Sequence, residues 1–185
     1  IFALLTGCRF SEIVGLTVDD LNFEQGFIDI NKTYDYIEPP SNSTDWLPCK
    51  NANSYRKVEM SQNLAELVRE LWQYQSKRCQ ARNIPNPRKQ VFFDWQEGIC
   101  NNRKANIEIK KILVECGITD KPKFSMHCCR HTFVSFLIYQ GYAVEEVALI
   151  VGDMPEEIRK TYYHVFQEYD ARTRSKTRGL MNSLF

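Results

Sequence analysis

The sequence predicts a mixed α+β fold, mainly helical, with a small antiparallel β-sheet or hairpin. Three observations carry that prediction. Residues 62–80 place Leu64, Leu67, Val68, Leu71 and Trp72 toward one helical face. Residues 27–36 alternate in strand fashion, with residues 57–60 as a partner strand. Residues 106–166 divide into helix-length segments separated by Gly117, Gly141 and Pro155.

The elements follow in order. Residues 1–5 form an apolar helix ending at Thr6 and Gly7, and residues 10–16 a second short helix whose Ile13, Val14 and Leu16 face the core. Ile28, Ile30, Thr33 and Tyr34 suit a strand after a turn at Glu24, Gln25 and Gly26. Residues 38–54, rich in Pro, Ser and Asn, read as a long hairpin loop. The helix over 62–80 follows, then a proline-punctuated linker over 84–90 and the apolar segment VFFD over 91–94. Residues 106–116 form a helix capped by Gly117. Further helices span 125–139, 144–151 and 155–166, the last with Pro155 at its first position. Residues 170–185 carry Arg172, Arg174, Lys176 and Arg178, then an apolar end at Leu180, Met181, Leu184 and Phe185.

Composition bounds the function. The 185 residues, 43% hydrophobic and 25% charged, suffice for one substantial core. A net charge of +1 does not announce a nucleic-acid binder, so a case for one rests on charge distribution and site chemistry. Seven cysteines without a CxxC pair argue against a disulfide framework or a structural zinc site and for a cytoplasmic chain. Cys128 and Cys129 lie beside His127 and His131, but neighbours on a helix point about 100° apart and share one tetrahedral ion poorly. No apolar run reaches the roughly 18 residues of a membrane span, and no leader precedes the first helix. Because residues 1–5 lack a preceding cap, an upstream part of the protein is expected to be missing.

Three short motifs carry chemistry: TGCRFSE over 6–12, HCCRHT over 127–132 and KTYYHV over 160–165. His127 and Arg130 stand three apart on a helix and share a face, as do Arg9 and Glu12, whose carboxylate can orient the guanidinium. A phosphodiester in its five-coordinate transition state gains charge on its non-bridging oxygens, and arginine forks match that geometry. Singly, each motif has a bland reading: a surface ion pair at Arg9, a satisfied histidine at His127, packing tyrosines at Tyr162 and Tyr163. Their order and spacing along the chain set the pattern apart.

That pattern resembles the catalytic domain of the tyrosine recombinases, the phage and mobile-element integrase family. Thr6, Gly7, Arg9 and Glu12 match its T-G-x-R-x-x-E motif; His127, Arg130, His131 and Thr132 match H-x-x-R-H-T; Tyr162-Tyr163-His164 fits its Tyr-x-His, which implicates Tyr162. Adjacent tyrosines on a helix cannot both face one phosphate. Lys50 resembles the family's hairpin lysine, with Arg56 and Lys57 as alternatives in the same hairpin. The resemblance implies a catalytic domain over 1–169, without the family's arm and core-binding domains, and a tail over 170–185 that packs on a neighbouring subunit, the alternative being that it folds back on its own domain.

It also implies a chemistry. Tyr162 attacks the phosphate to give a 3′-phosphotyrosine, Arg9 and Arg130 hold the phosphate, Lys50 protonates the leaving 5′ oxygen, and His127 donates a hydrogen bond or serves as base. Neither cofactor nor metal is needed. The implied partners are double-stranded DNA, further copies of the chain in a tetramer on DNA, and a directionality factor, in a bacterial cytoplasm. DNA contacts are expected at Arg56, Lys57, Arg103, Lys104 and His131. The alternatives are a catalytically weakened DNA-binding relative, a type IB topoisomerase-like enzyme, and a plain helical interaction domain whose motifs arose by chance.

One position departs from the family. Where Leu-Gly-His is usual, this chain reads Val151-Gly152-Asp153. An ionised carboxylate about 4 Å from a phosphate oxygen costs on the order of 4 kcal/mol at an effective dielectric of about 20. Asp153 is therefore expected to swing away, take a proton or pair with a base such as Lys160, and to slow cleavage without abolishing it. As for DNA affinity, a groove making about six phosphate contacts loses roughly 10³-fold between about 50 and 200 mM salt. Fluorescence anisotropy checks this, and a flat salt response would exclude such a groove.

Overall fold

The computed structural model describes residues 1–36, 46–94, 98–120 and 123–184. Two helices open the chain, α1 over Phe2–Thr6 and α2 over Phe10–Gly15. A three-stranded antiparallel sheet follows in the order β1 (Leu21–Asn22), β2 (Phe27–Ile30), β3 (Arg56–Glu59). Ile28 pairs with both Leu21 and Val58, which sets the apolar face toward the core. The strand expected to run to residue 36 ends at Ile30. The side chains of Asn31 and Lys32 turn instead to the carboxylate of Asp20. The chain then pairs once more, Thr33 with Leu47. Residues 38–45 of the expected loop over 38–54 lie outside the described residues; its end is a 3₁₀ turn at Ala52–Ser54.

The long amphipathic helix is α3, Gln62–Ala81, with Ser61 accepting a capping bond from the Leu64 amide at 3.2 Å. Leu64 and Val68 are buried, whereas Leu67 is 46% exposed. At 100° per residue Leu67 lies about 60° from Leu64, at the edge of the face. The VFFD segment contributes half of a small second ladder, β4 (Phe93–Asp94) with β5 (Gly98–Ile99).

The remaining helices are α4 (Asn102–Glu115), α5 (Met126–Tyr139), α6 (Val144–Val151) and α7 (Pro155–Asn182). α4 begins four residues earlier than expected because Asn101 caps it, accepting from the amides of Arg103 and Lys104. After a kink at Tyr162, α7 continues past residues 166 and 170, so the expected tail belongs to the same helix. Residues 170–184 are exposed, and this part of α7 is held by its own backbone ladder more than by packing. Among the described residues no helix is long and apolar enough to cross a membrane.

Two apolar clusters result. One joins α1, α2, the sheet and α3 through Phe2, Ile13, Ile28, Ile30, Val58 and Leu64. The other joins α5, α6 and α7 through Val134, Ile138, Val147, Val151, Ile158 and Val165. α5 serves both, giving Cys129 to the first and Val134 to the second. Arg130 lies between these two residues, at the seam.

A buried ion pair bridges the seam. Glu12 is 1% exposed, and both its oxygens accept from Arg56, at 3.2 and 3.1 Å. Arg56 also donates to the carbonyls of Ser54 and Ile150, tying β3 to the end of α6. Arg56 was expected as a DNA contact; buried, with its guanidinium occupied by these acceptors, it is a structural cation instead. Gly152 ends α6 at φ +67°, and a Cβ there would lie 2.7 Å from the Arg56 Nη1. Burial opposes the charge of Glu12, but Arg56 and then Arg9 outweigh it and hold the carboxyl below its ordinary 4.5. Its stabilisation is therefore full above that value and is lost as pH falls through the depressed pKa. Glu12→Gln leaves Arg56 uncompensated and should lower the unfolding free energy by about 3–5 kcal/mol, read by urea denaturation. Glu108→Gln, which breaks an exposed pair with Lys111, should cost less than about 1 kcal/mol.

Candidate active site

The site begins at the turn between α1 and α2. Gly7 adopts φ +63°, and a Cβ there would meet the Phe133 ring at 2.5 Å, so only glycine lets α1 approach α5 this closely. Arg9 and Glu12 do not share a helical face as expected, since Arg9 is the residue that caps α2. Glu12 accepts from the Arg9 amide at 2.8 Å and from its Nη1 at 2.9 Å. The carboxylate thus fixes both the backbone and the fork of Arg9. The Arg9 Nη1 also donates to the Gly152 carbonyl at 3.1 Å.

α5 supplies the second motif. Arg130 is 4% exposed and spends Nη1 on the carbonyls of Gly7 and Val151, both at 2.8 Å. Its Nη2 points to Asp153 Oδ2 at 3.0 Å, the same oxygen that Arg9 Nη2 reaches at 2.9 Å. Of the three outcomes expected for Asp153, pairing with a base is the one observed, and its partners are the two arginines rather than Lys160. Burial first, and the Arg9 charge second, push the Arg130 pKa down, so an anion between the two forks relieves a real repulsion.

α7 brings Tyr162, 6% exposed, with its hydroxyl 2.7 Å from His131 Nδ1. The backbone leaves helical geometry at this residue, with φ −111° and ψ 17°, near the sparsely allowed region where many active-site residues sit. Tyr163 is 62% exposed and accepts from Gln167, so the two tyrosines point apart. Burial, and less so Asp153, push the Tyr162 phenol up to about 12. Burial and then Arg130 push His131 down from its ordinary 6.5. His127, edge-on to His131 with ring centroids 4.6 Å apart, is pushed down likewise by burial and then by His131.

These groups line one pocket of about 210 Å³: Arg9, Lys50, His127, Arg130, His131, Asp153 and Tyr162, with Glu157, Ile158 and Thr161. A second cavity shares Arg9 and His127 and extends past Ser11 and Tyr36 to Asn102 and Asn106 of α4. Lys57 lies apart on β3, exposed, its Nζ 4.2 Å above the Phe27 ring. Arg103 and Lys104 are exposed on the first turn of α4, whose Asn102 and Asn106 line the second cavity. His131, expected among the DNA contacts, instead meets the tyrosine. The sequence held one sign of this, since His131 follows His127 by four residues and so shares its helical face. Arg56 as the partner of Glu12 had no local sign at all.

Known proteins resemble this chain in sequence and in fold. The model of the phage integrase family matches residues 1–168. The chain is 24% identical over 178 residues to the integrase of Staphylococcus phage L54a, covering 96% of this chain and 50% of that protein. It is 24% identical over 173 residues to the tyrosine recombinase XerD of Haemophilus ducreyi, covering 93% and 49%. It spans about half the length of the curated relatives it matches. Its fold is similar to the Tn1549 transposon integrase in complex with transposon right end DNA, with TM-score 0.67, 18% identity and coverage of 94% and 56%. It is also similar to the XerH site-specific recombinase bound to a palindromic difH substrate, with TM-score 0.66, 16% identity and coverage of 98% and 44%. With its motifs gathered at one pocket and nearly its whole length matched, the chain belongs to the phage integrase family.

Proposed function

We propose that this chain is the catalytic domain of a site-specific DNA recombinase that cuts and rejoins DNA through a 3′-phosphotyrosine. One observation carries the reading: the Tyr162 hydroxyl lines the same small pocket as two arginine forks that converge on a single anionic oxygen. A phosphodiester seated there has its non-bridging oxygens between the forks and its phosphorus open to the phenol.

The chemistry follows from the protonation states. A phenol with a pKa of about 12 is ionised to about one part in 10⁵ at neutral pH, so it needs a base. His131 is that base, because its imidazole is held neutral near pH 7 and its Nδ1 already touches the hydroxyl. As the Tyr162 Oη–P bond forms, the phenolic proton passes to His131 Nδ1. The bond from phosphorus to the 5′ oxygen breaks, and Lys50 at the pocket rim protonates the leaving oxygen. His127 donates to a non-bridging oxygen. The ester keeps the bond energy, and a 5′-hydroxyl from another strand reverses the step, so the cycle balances without an external energy source.

The partners follow the same reading. The substrate is double-stranded DNA at the recombination sites of a mobile element or phage, handled by a tetramer of the full-length protein in a bacterial cytoplasm, with a directionality factor where one is used. Lys57, Arg103 and Lys104 are exposed cations, and we assign them contacts with the DNA backbone. The exposed second half of α7 is the segment passed to a neighbouring copy. Asp153 favours one second reading, a DNA-binding relative with weakened chemistry, since its carboxylate lies where phosphate would sit.

With a nicked suicide substrate on a denaturing gel, Tyr162→Phe should abolish the covalent adduct and Tyr163→Phe should retain it. Loss of the adduct in both, with folding intact, would contradict the assignment. Adduct formation should also slow as pH falls through the His131 pKa, with a midpoint below 6.5, because protonation removes the base. His131→Gln should lower the single-turnover rate by about 10²-fold and erase that acid limb. Persistence of the limb would transfer the proton-accepting role to another group.

A further inference from the structure

The anion seat that the proposed function assigns to DNA is already filled by the protein. Asp153 Oδ2 accepts from Arg9 Nη2 at 2.9 Å and from Arg130 Nη2 at 3.0 Å, two forks on one oxygen. That is the arrangement a non-bridging phosphate oxygen adopts between paired arginines. The placement is built into the backbone. Gly152, left-handed at φ +67°, turns the chain out of α6, and the Asp153 amide donates back to the Ala148 carbonyl at 3.0 Å. The Asp153 carbonyl accepts from Asn53 at 3.4 Å, and its second carboxylate oxygen accepts from the Met154 amide at 3.2 Å. The forks are immobilised from behind as well, Arg9 by Glu12 and Arg130 by the carbonyls of Gly7 and Val151. Two fixed cations thus face one acid that retains partial solvent access, its side chain 21% exposed.

We propose that Asp153 is an internal stand-in for the DNA phosphate. It occupies the Arg9–Arg130 seat in the free protein, and a tetrahedral oxyanion must displace it before Tyr162 can react. The inference rests on reading Arg9 and Arg130 as phosphate ligands. Its physical basis is competition. The carboxylate satisfies two cations held close together and so lowers the gain available to any incoming anion. Once displaced, it stands beside the phosphate and repels it. A side-chain rotation at Asp153 clears the seat without moving α7, because the hydrogen bonds at its amide and carbonyl hold the backbone independently. The stand-in keeps the arginines ordered and compensated when DNA is absent, and sets a threshold that only a well-seated phosphodiester crosses.

Two measurements test this on the chain as it exists. Inorganic sulfate serves as the probe for the seat, by isothermal titration calorimetry, with the wild-type protein, Asp153→Asn and Asp153→Ser. Both variants should bind sulfate at least about tenfold more tightly, the scale of one charge-assisted hydrogen bond no longer contested. Adding Arg130→Lys to Asp153→Asn should remove that gain. On a nicked suicide DNA, both single variants should form the Tyr162 adduct at least about tenfold faster in a single turnover. Unchanged or weaker sulfate binding in both folded variants overturns the stand-in. A sulfate gain with no adduct from any protein upholds the stand-in and overturns the strand-cleavage reading. An adduct from the wild-type protein with no gain of either kind in the variants upholds cleavage and overturns the stand-in.

Discussion

The carboxylate of Glu12 is the constraint on which the rest of this molecule depends. A charge that is 1% exposed survives only if its oxygens are paired, and here both are, through Arg56 from the sheet and Arg9 from the cap of α2. Each partner then positions something else. Arg56 reaches on to the Ile150 carbonyl and pins the end of α6, so the Gly152 turn begins where Arg9 and Arg130 can reach it. Arg9 has its backbone amide and its fork held by the same acid, which leaves Nη2 as the end that faces the pocket.

Charge balance suits this pocket to the anion proposed for it. Arg9, Arg130 and Lys50 line it against the carboxylates of Asp153 and Glu157, three cations against two acids, while Arg56 and Glu12 pair behind it. In the proposed function a phosphodiester takes the place of Asp153 between the two arginine forks. The near-neutral composition of the whole chain conceals this, because the positive excess is concentrated at one seam between two apolar clusters.

The proposed nucleophile is prepared by burial as well as by its neighbours. Tyr162 packs in the α5–α6–α7 cluster, so its ring is oriented by the same contacts that hold the helices together. The cost is a phenol harder to ionise, and in the proposed reaction His131 across the α5–α7 contact offsets it. Position and reactivity are opposed here, and a neutral imidazole at hydrogen-bond distance reconciles them.

The sequence by itself determined the mainly helical fold, the helix breaks at Gly117, Gly141 and Pro155, and the motifs that name Arg9, His127, Arg130 and Tyr162. Those signals are local, written in apolar periodicity, capping residues and turn residues within a few positions of one another. Tertiary structure alone decided the partnerships. Arg56 meets Glu12 across 44 residues, His131 meets Tyr162 across 31, and Asp153 meets Arg9 across 144. No spacing rule reaches that far, which is why Arg56 and His131 read as surface DNA contacts, and Asp153 as swinging away, taking a proton or pairing with a base such as nearby Lys160. The extent of α7 was hidden for the complementary reason. Its second half buries little, so no apolar stripe marked where the helix should stop, and the backbone ladder carried it on to Asn182.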